Sequence, residues 1–539
     1  EERLSPSELI RAMLRSEVDL VWNGGIGTYV KGSAESDADV GDKANDALRI
    51  NGGELNCRVV GEGGNLGFTQ RGRMEAAARG VRLNTDFIDN AGGVNCSDHE
   101  VNIKILIDEV VKRGDMTDKQ RNQLLADMTS EVSELVLRDN YRQTQALDLA
   151  ERLSREGIGP FRRFISELEA QGLLDRELEF LPADEVLEER AAAQQGMLLP
   201  ELAVLISYAK SVLKGDLITS DVPDDAVIER HVERLFPAVL VKHYRDELYE
   251  HRLKREIVAT QVACDLVDHM GIVFVRRLID ATGASRAEIA RAYVIAREVF
   301  QLDQLWEQIE ALDNQVASQV QYDMMLDLMR LIRRATRWFV RARLGPDTLD
   351  LIDYFAPRLA QLREGVGKRL RGEELEAWEA RRAELIEAGV PEALAASVAA
   401  AGSLYAGLGI IQAARQTNEK PQKVAEVFYE IGSRLELPWL IGQITALKVR
   451  DSWQAQARDT FRDDVDRQQL ALTVSVLEME GGAQAGAERV DRWLEQNADM
   501  HSRWCRLLEQ VGSGTQGGFP LFAVAVRELV DLAESSRQE

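Results

Sequence analysis

The chain has 539 residues, of which 45% are hydrophobic and 29% charged, and its formal net charge is −24. At roughly 100–200 residues per domain, this length predicts about three domains with sizeable cores. The acidic balance argues against a nucleic-acid partner, because such a chain repels the phosphate backbone. No run of about 18 apolar residues occurs, so the sequence predicts no membrane span.

Four cysteines, Cys57, Cys96, Cys264 and Cys505, are far apart and form no C-x-x-C pair. This spacing argues against a disulfide framework and predicts a reducing, cytoplasmic compartment. The opening EERLSPSELI lacks the basic and apolar regions of a signal peptide. Because residue 1 is not Met, the N-terminus carries no information about targeting.

Three short apolar runs in the first 110 residues predict β-strands. They cover Val18–Trp22, Cys57–Val60 and Gly80–Ile88, and each ends in a loop rich in Gly or Asn. Strands of this kind with helical stretches between them are typical of a parallel α/β sheet. Ligands bind such sheets outside the carboxyl ends of the strands, where these loops lie.

A helix is predicted over residues 97–113, because Ser97 followed by Glu100 fits a capping box. Apolar residues from Ile103 to Val111 then recur at helical spacing. The segment NAGGV just before also resembles a helix start, whose backbone N–H groups suit a partly negative ligand. Further along, Pro200 is placed to open a helix and Gly215 to end it.

Beyond about residue 115 the pattern is almost wholly helical, with a break at Gly345-Pro346. Within this region an offset of 135 residues sets Glu288 against Lys423 and aligns a series of apolar residues. Two interpretations stay open, a duplicated structural unit or helical periodicity alone. The aligned pairs are Ile289/Val424, Ala290/Ala425, Tyr293/Phe428, Phe300/Leu435, Leu302/Leu437, Leu305/Leu440, Gln308/Gln443, Ile309/Ile444 and Leu312/Leu447.

The basic segment Arg330–Arg343 also allows two interpretations. It could bind an anion or nucleic acid. The overall acidity favours a packed helix whose arginines pair with acidic residues.

The segment Gly61–Glu100 carries the chemistry, because two Gly-containing loops each hold an asparagine, Asn65 and Asn90. An amide offers donors and an acceptor, which suits a carboxamide or a ribose hydroxyl. The alternative is that Gly and Asn are only turn residues here.

His99 is expected to be a cap or surface residue, and Cys96 has no partner base that would make it a nucleophile. The remaining histidines show no zinc-site spacing with a carboxylate, so no metal site is predicted.

The motifs GEGGN and DNAGGVNCS resemble two motifs of the glutamate dehydrogenase family, in the family's order. VWNGGIGTYVK, LPELAVLISYAK, ARQTNEK and DHMGIVFVRRLIDATGASRAEIARAYVIAREVF resemble its large multidomain NAD-dependent class. The resemblance covers nearly the whole chain. It implies a fold that is α/β followed by all-α. A partial Rossmann-like parallel sheet would come first, and a large helical C-terminal domain would follow it. The expected domains are 1–115, 116–345 and 346–539.

This resemblance implies roles for individual residues. Asn65, with the backbone of Gly64, matches the position at the nicotinamide ribose, and Asn90 matches the contact to the nicotinamide carboxamide. Ser97 matches the serine that binds the side-chain carboxylate of glutamate, although it could be only the helix N-cap. Asn23, Gly24 and Gly25 are expected to line the nicotinamide pocket. The segment LGFTQRG stands where the family leads into Pro-Thr-Thr, so only Thr69 or Gln70 could substitute for that part of the pattern.

The resemblance also indicates what the chain lacks. The family's catalytic Lys and Asp, its pyrophosphate turn and its acidic ribose contact all belong upstream, so no catalytic residue is assigned and the chain alone is expected to be inactive. The expected function is part of an NAD-dependent glutamate dehydrogenase that acts on L-glutamate and 2-oxoglutarate as a homo-oligomer with a missing N-terminal part. Two alternatives are a dehydrogenase for apolar amino acids and a non-catalytic helical scaffold.

Overall fold

The computed structural model describes residues 3–345, 347–449, 452–479, 486–512 and 518–536. It divides into two compact units, Glu1–Arg291 and Ala292–Glu539. The predicted boundaries near residues 115 and 345 stay a prediction, and Pro346 lies outside the described residues. In the described ranges no single helix is long and apolar enough to cross a membrane. Two bent pairs pass that test only by length and composition, Lys254–Met270 with Phe274–Thr282 and Glu392–Ala399 with Ala401–Thr417.

Two small parallel sheets lie in the first unit. Strand β1 (Leu20–Asn23) pairs with β4 (Val59–Glu62), and β2 (Val30–Lys31) pairs with β3 (Ile50–Asn51). The register sets Asn23 opposite Glu62, so the loops that follow β1 and β4 leave the same edge of their sheet. The predicted parallel arrangement is confirmed for β1 and β4, whereas the sequence did not predict β2 and β3. The common core of the two sheets contains Val30, Ile50, Leu55, Cys57, Val60, Phe68, Ala76, Val81 and Leu83.

The third predicted strand, Gly80–Ile88, is wrong. Only an isolated parallel bridge joins Arg82 to Val59, and residues 86–89 are helical. Asp86 explains part of the difference, because its carboxylate accepts the backbone N–H groups of Leu66 and Phe87 at 2.8 and 3.0 Å. An Asp that bonds nearby backbone in this way favours a turn or a helix start over a strand.

Helices make up most of the first unit. Four 3-10 segments join them, at Lys43–Asn45, Gly52–Glu54, Val222–Asp224 and Ile228–Leu235. The α-helices are α1 (Pro6–Leu14), α2 (Asp37–Val40), α3 (Gln70–Ala78), α4 (Asp86–Asp89), α5 (Ala91–Arg113), α6 (Asp118–Asp127), α7 (Thr129–Glu156), α8 (Gly159–Ala170), α9 (Asp184–Ala192), α10 (Leu199–Thr219), α11 (Ala238–His243), α12 (Arg245–Tyr249), α13 (Lys254–Met270) and α14 (Phe274–Thr282).

Helix α5 begins at Ala91, six residues before the predicted start at Ser97. Asn90 is its N-cap residue, so the NAGGV segment does open the helix and the capping box at Ser97 is wrong. In α10 Pro200 lies in the first turn, as expected, but the helix continues through Gly215 to Thr219. Apolar side chains on both sides of Gly215 explain this, because Leu213 and Leu217 are both buried.

The described part of the second unit is helical throughout. Helix α15 (Arg286–Phe300) contains the division between the units. The helices that follow are α16 (Leu302–Glu310), α17 (Ser318–Ala342), α18 (Thr348–Arg363), α19 (Val366–Arg369), α20 (Gly372–Glu387), α21 (Glu392–Ala399), α22 (Ala401–Leu404), α23 (Ala406–Thr417), α24 (Pro421–Arg434), α25 (Leu437–Thr445), α26 (Ser452–Glu478), α27 (Gly486–Gln496), α28 (Ala498–Gly512) and α29 (Gly518–Ser535).

The repeat suggested by the sequence is confirmed in the helix bounds. Helices α16 and α25 each have nine residues and lie at the predicted offset, and α15 and α17 correspond to α24 and α26. Gln301 and Glu436 precede the nine-residue helices with φ of +55° and +52°. Left-handed backbone at a non-glycine residue is uncommon, so its recurrence at equivalent positions goes beyond shared periodicity.

Candidate functional site

Two loops meet where β1 and β4 end. The Gly64 N–H donates to the Asn23 carbonyl at 3.0 Å. A Cβ on Gly64 would lie 2.5 Å from the Gly25 oxygen, and a Cβ on Gly67 would lie 1.7 Å from Asn23 Nδ2. No side chain fits at those distances, so Gly64 and Gly67 are what let the two loops touch.

The two predicted asparagines meet above these loops. Asn90 Nδ2 donates to Asn65 Oδ1 at 2.6 Å. Asn65 is exposed and Asn90 half-buried, so both amides keep groups that a ligand could reach. Asn90 also precedes α5, whose first backbone N–H groups have no partner within the helix. The pair therefore combines amide donors and acceptors with the positive end of a helix.

A buried charge cluster lies beneath this pair. The Arg73 guanidinium donates to both oxygens of Glu62, at 2.6 and 2.9 Å, and pairs with Asp86 at 3.1 Å. Burial raises the pKa of Glu62 above its usual value, and Arg73 opposes that shift. Burial also raises the pKa of Asp89, which accepts the Glu62 N–H at 2.9 Å. One cation thus holds the end of β4, α3 and α4 together.

This cluster was missed in the sequence, although each member has a local signal. Glu62 is the acid of the GEGGN motif, and Asp86 and Asp89 flank the apolar Phe87-Ile88 pair. A charged residue next to a strand end or in a short helix is usually solvated, so pattern alone does not separate a buried cluster from a surface one.

The other predicted loop residues lie beside the asparagine pair but differ in exposure. Gly24 and Gly25 are exposed, whereas the Asn23 side chain packs against Gly67 and its Nδ2 is buried with no hydrogen-bond partner. This packing indicates that Asn23 stabilises the loop that follows β1. The predicted contacts of these three residues with a cofactor stay predictions.

Ser97 is not brought to the asparagine pair. It lies seven residues beyond Asn90, about 10 Å along the axis at 1.5 Å per residue. Its exposed hydroxyl donates to the Gly93 carbonyl at 3.1 Å. Val94 and Val101, also exposed, lie on the same face of α5. Ser97 therefore faces the open side of the helix, and its predicted substrate contact stays a prediction.

The opposite face of α5 carries a polar network that the sequence did not predict. His99 is buried, not a cap or surface residue, because the earlier start of α5 puts it in the third turn. Its Nδ1 lies 2.7 Å from the Leu235 carbonyl and its Nε2 3.7 Å from Asp139. Asn95 donates to Asp139 at 3.2 Å. Burial alone would raise the pKa of Asp139, but the nearby His99 and the hydrogen bond from Asn95 hold it below its usual value.

The prediction that no histidine stands at helical spacing from a carboxylate is wrong. His269 and Asp265 are four residues apart on α13, and His269 Nδ1 lies 3.3 Å from Asp265 Oδ1. A histidine does therefore stand at helical spacing from a carboxylate. A pair of this kind is also an ordinary buried contact, and it assigns no metal site by itself.

Comparison with known families decides the identity of the chain. The family model "Glutamate dehydrogenase, C-terminal" matches residues 194–531, and "Bacterial NAD-glutamate dehydrogenase, catalytic domain" matches residues 1–150. The chain belongs to the glutamate dehydrogenase family. The catalytic-domain match contains both asparagine loops and α5, and it continues into α7.

Three curated relatives are each named NAD-specific glutamate dehydrogenase. The protein from Halomonas elongata is 78% identical over 538 residues, which is 100% of this chain. Those from Pseudomonas aeruginosa and Mycobacterium tuberculosis are 53% and 36% identical over 99% of it. The chain spans 33% of the length of each relative, about a third.

Proposed function

We propose that the chain is part of an NAD-dependent glutamate dehydrogenase, which converts L-glutamate, NAD⁺ and water into 2-oxoglutarate, ammonium and NADH. The names of the relatives and the catalytic-domain match support this proposal. The structural observation that carries it is the 2.6 Å hydrogen bond from Asn90 to Asn65, in the loop that follows β4 at the carboxyl edge of its sheet. Ligands of α/β sheets bind at this edge.

The residues present fit the nicotinamide half of the cofactor. Asn65 offers an exposed amide group and Asn90 a half-buried one, and the Gly64 backbone lies where no Cβ would fit. Three apolar side chains are exposed here, Trp22 on β1 and Ile26 and Leu66 in the loops, and Ile26 is 92% exposed. When bound, NAD⁺ accepts the hydride, and the role of these residues is to place and orient it. Ser97 would hold the side-chain carboxylate of the substrate.

We propose that further strands of a longer protein complete a Rossmann-like sheet on β1. Among the described residues no strand pairs with the second edge of β1, and Leu20 and Trp22 are exposed on that strand. An exposed apolar edge strand is a site for pairing with another segment. The proton-transferring Lys and Asp would come from the same missing part. Assembly as a cytoplasmic homo-oligomer belongs to this proposal, and the four free cysteines fit a reducing compartment.

The test uses the complete protein with Asn90→Ala. Losing one amide contact to the cofactor should lower kcat/KM for glutamate-dependent NADH formation about five- to thirtyfold, on the basis of about 1–2 kcal/mol per lost polar contact. Asn122→Ala is the matched control, because Asn122 is on α6 and its side-chain oxygen accepts hydrogen bonds from the neighbouring Arg121. Ser97→Ala should raise the KM for glutamate.

Two other functions make different predictions. A non-catalytic scaffold predicts that Asn90→Ala and Ser97→Ala leave the activity of the complete protein unchanged. A dehydrogenase for apolar amino acids predicts that leucine is oxidised faster than glutamate when the two are assayed side by side. The exposed hydroxyl of Ser97 favours glutamate, because a serine suits a carboxylate better than an apolar side chain.

A further inference from the structure

Charged groups of the second unit differ in how they are neutralised. The basic segment Arg330–Arg343 ends α17, and its Arg337 and Arg341 share Asp463 with N–O distances of 2.6 and 2.7 Å. This pairing supports the packed-helix interpretation of that segment. Four glutamates on α20, on α28 and in the turn before α25 differ, because none of them forms an ion pair among the described residues. They are Glu373, Glu376, Glu436 and Glu509.

Helix α28 places a histidine and a cysteine side by side near these glutamates. His501 and Cys505 are four residues apart, and the distance from His501 Nε2 to Cys505 Sγ is 3.5 Å. Both residues are half-buried, so an ion from solvent has access to them. Tetrahedral zinc binds an imidazole nitrogen at about 2.0 Å and a thiolate sulfur at about 2.3 Å, which sets the two ligand atoms about 3.5 Å apart. The pair therefore already has the separation of two ligands on one zinc ion.

Two glutamate carboxylates lie near the thiol. Glu509 is one helical turn beyond Cys505, and its side chain leans towards the thiol because helical side chains lean towards the N-terminus. Glu436 is in the turn before α25, and the buried Trp504 holds that turn against α28, since its Nε1–H donates to the Leu435 carbonyl at 2.9 Å. Burial, together with the charges of Glu436 and Glu509, raises the pKa of the Cys505 thiol. Both carboxylates therefore lie close enough to act on the thiol.

We propose that His501, Cys505 and Glu509 bind a divalent transition-metal ion of the zinc class, with water as the fourth ligand. Imidazole and thiolate ligands favour zinc-like ions over magnesium or calcium. The carboxylate of Glu436 adds negative charge that attracts the cation. The sequence predicted no metal site, because the spacing of histidines to carboxylates does not reveal a thiol ligand. The site lies in the second unit and does not depend on the proposed dehydrogenase function.

The pair of His269 and Asp265 differs from this site in burial and in charge. Both residues are buried, and Asp265 pairs with Arg234 at 2.7 Å. A cation there would compete with the guanidinium for the carboxylate. His501 and Cys505 are more open and lie beside carboxylates that form no ion pair among the described residues.

The test is a titration of the full, reduced chain with Co²⁺. Cobalt reports thiolate ligation by an absorption band in the near ultraviolet and tetrahedral geometry by bands in the visible. A single Co²⁺ per chain should give both signals, and Zn²⁺ should displace it whereas Mg²⁺ should not. Binding should strengthen by up to about tenfold per pH unit between about pH 7 and the thiol pKa, because the metal displaces one proton from Cys505. Absence of the near-ultraviolet band would overturn the proposal.

Variants locate the ion at these three residues. Cys505→Ser and His501→Ala should each weaken Co²⁺ binding about tenfold or more, and Cys505→Ser should also remove the near-ultraviolet band. Glu509→Gln should weaken binding with the band retained. Cys96→Ser is the matched control, because Cys96 is an exposed cysteine on α5 and its loss should change neither signal.

Unchanged binding in any of the first three variants, or loss of the band in Cys96→Ser, would also overturn the proposal. If Cys505→Ser does not fold, the effects of His501→Ala and Glu509→Gln still decide.

Discussion

Replacing Arg73 with methionine tests whether one cation holds the asparagine loops in place. Glu62 is 0% and Arg73 5% exposed, so the variant leaves Glu62, Asp86 and Asp89 close together with no counter-charge. Removing one partner of a buried ion pair costs about 3–5 kcal/mol. Arg58→Met is the matched control. Arg58 pairs with Asp19 at the surface, where a pair contributes about 0–1 kcal/mol.

Hydrogen exchange with mass spectrometry measures the loss of stability in the segments around Arg73. Peptides covering residues 59–66 and 84–90 should exchange about a hundred- to a few thousandfold faster in Arg73→Met, since a factor of ten corresponds to about 1.4 kcal/mol. Peptides of the second unit should not change. Arg58→Met should exchange like the unmodified chain.

The pH dependence gives the sign of the electrostatic effect. Burial raises the pKa of Glu62 and Asp89 in the folded protein. The folded state therefore binds more protons than the unfolded state, and stability falls as pH rises through the folded pKa. Without Arg73 these pKa values should rise further. The loss of stability caused by Arg73→Met should then be largest at neutral pH and should shrink on acidification. A loss of stability equal to that of Arg58→Met, or a loss that grows as pH falls, would refute the electrostatic explanation.

Two further substitutions test the backbone arguments. Gly67→Ala places a Cβ 1.7 Å from Asn23 Nδ2, so it should destabilise the first unit by about 1–3 kcal/mol in chemical denaturation. A Cβ on Gly215, inside α10, meets nothing within 4 Å. Gly215→Ala should therefore stabilise the same unit by about 0.5–1 kcal/mol. Glu436→Gly relieves left-handed backbone before α25 and should leave stability unchanged or raise it by up to about 1 kcal/mol. Gln301→Gly should gain less at the equivalent position, because the Gln301 amide accepts a hydrogen bond from Arg363. A loss of more than about 1 kcal/mol in Glu436→Gly would contradict the strain argument.

Features that depend on residues close together in the chain could be predicted from the sequence. The Gly- and Asn-containing loops predicted that Asn65 and Asn90 lie close together, and they form a hydrogen bond. The strand predicted before Asn90 is wrong, and Asn90 reaches this site as the N-cap residue of α5. The 135-residue offset predicted equivalent helices, and α16 and α25 have the same length at that offset. Turn chemistry and helical periodicity act over a few residues, so the order of the chain is enough to reveal them.

Features that depend on packing were decided only by the tertiary structure. His99 is buried against a segment 136 residues further along the chain, where its Nδ1–H donates to the Leu235 carbonyl. Arg73 gathers Glu62 and Asp86 from β4 and α4, and Asp463 neutralises arginines more than 120 residues earlier on α17. Whether a polar side chain is solvated or buried depends on which elements pack against it, and a local pattern does not contain that information. The sequence therefore determined the family, the loops and the repeat, and the fold decided which charged groups hold them together.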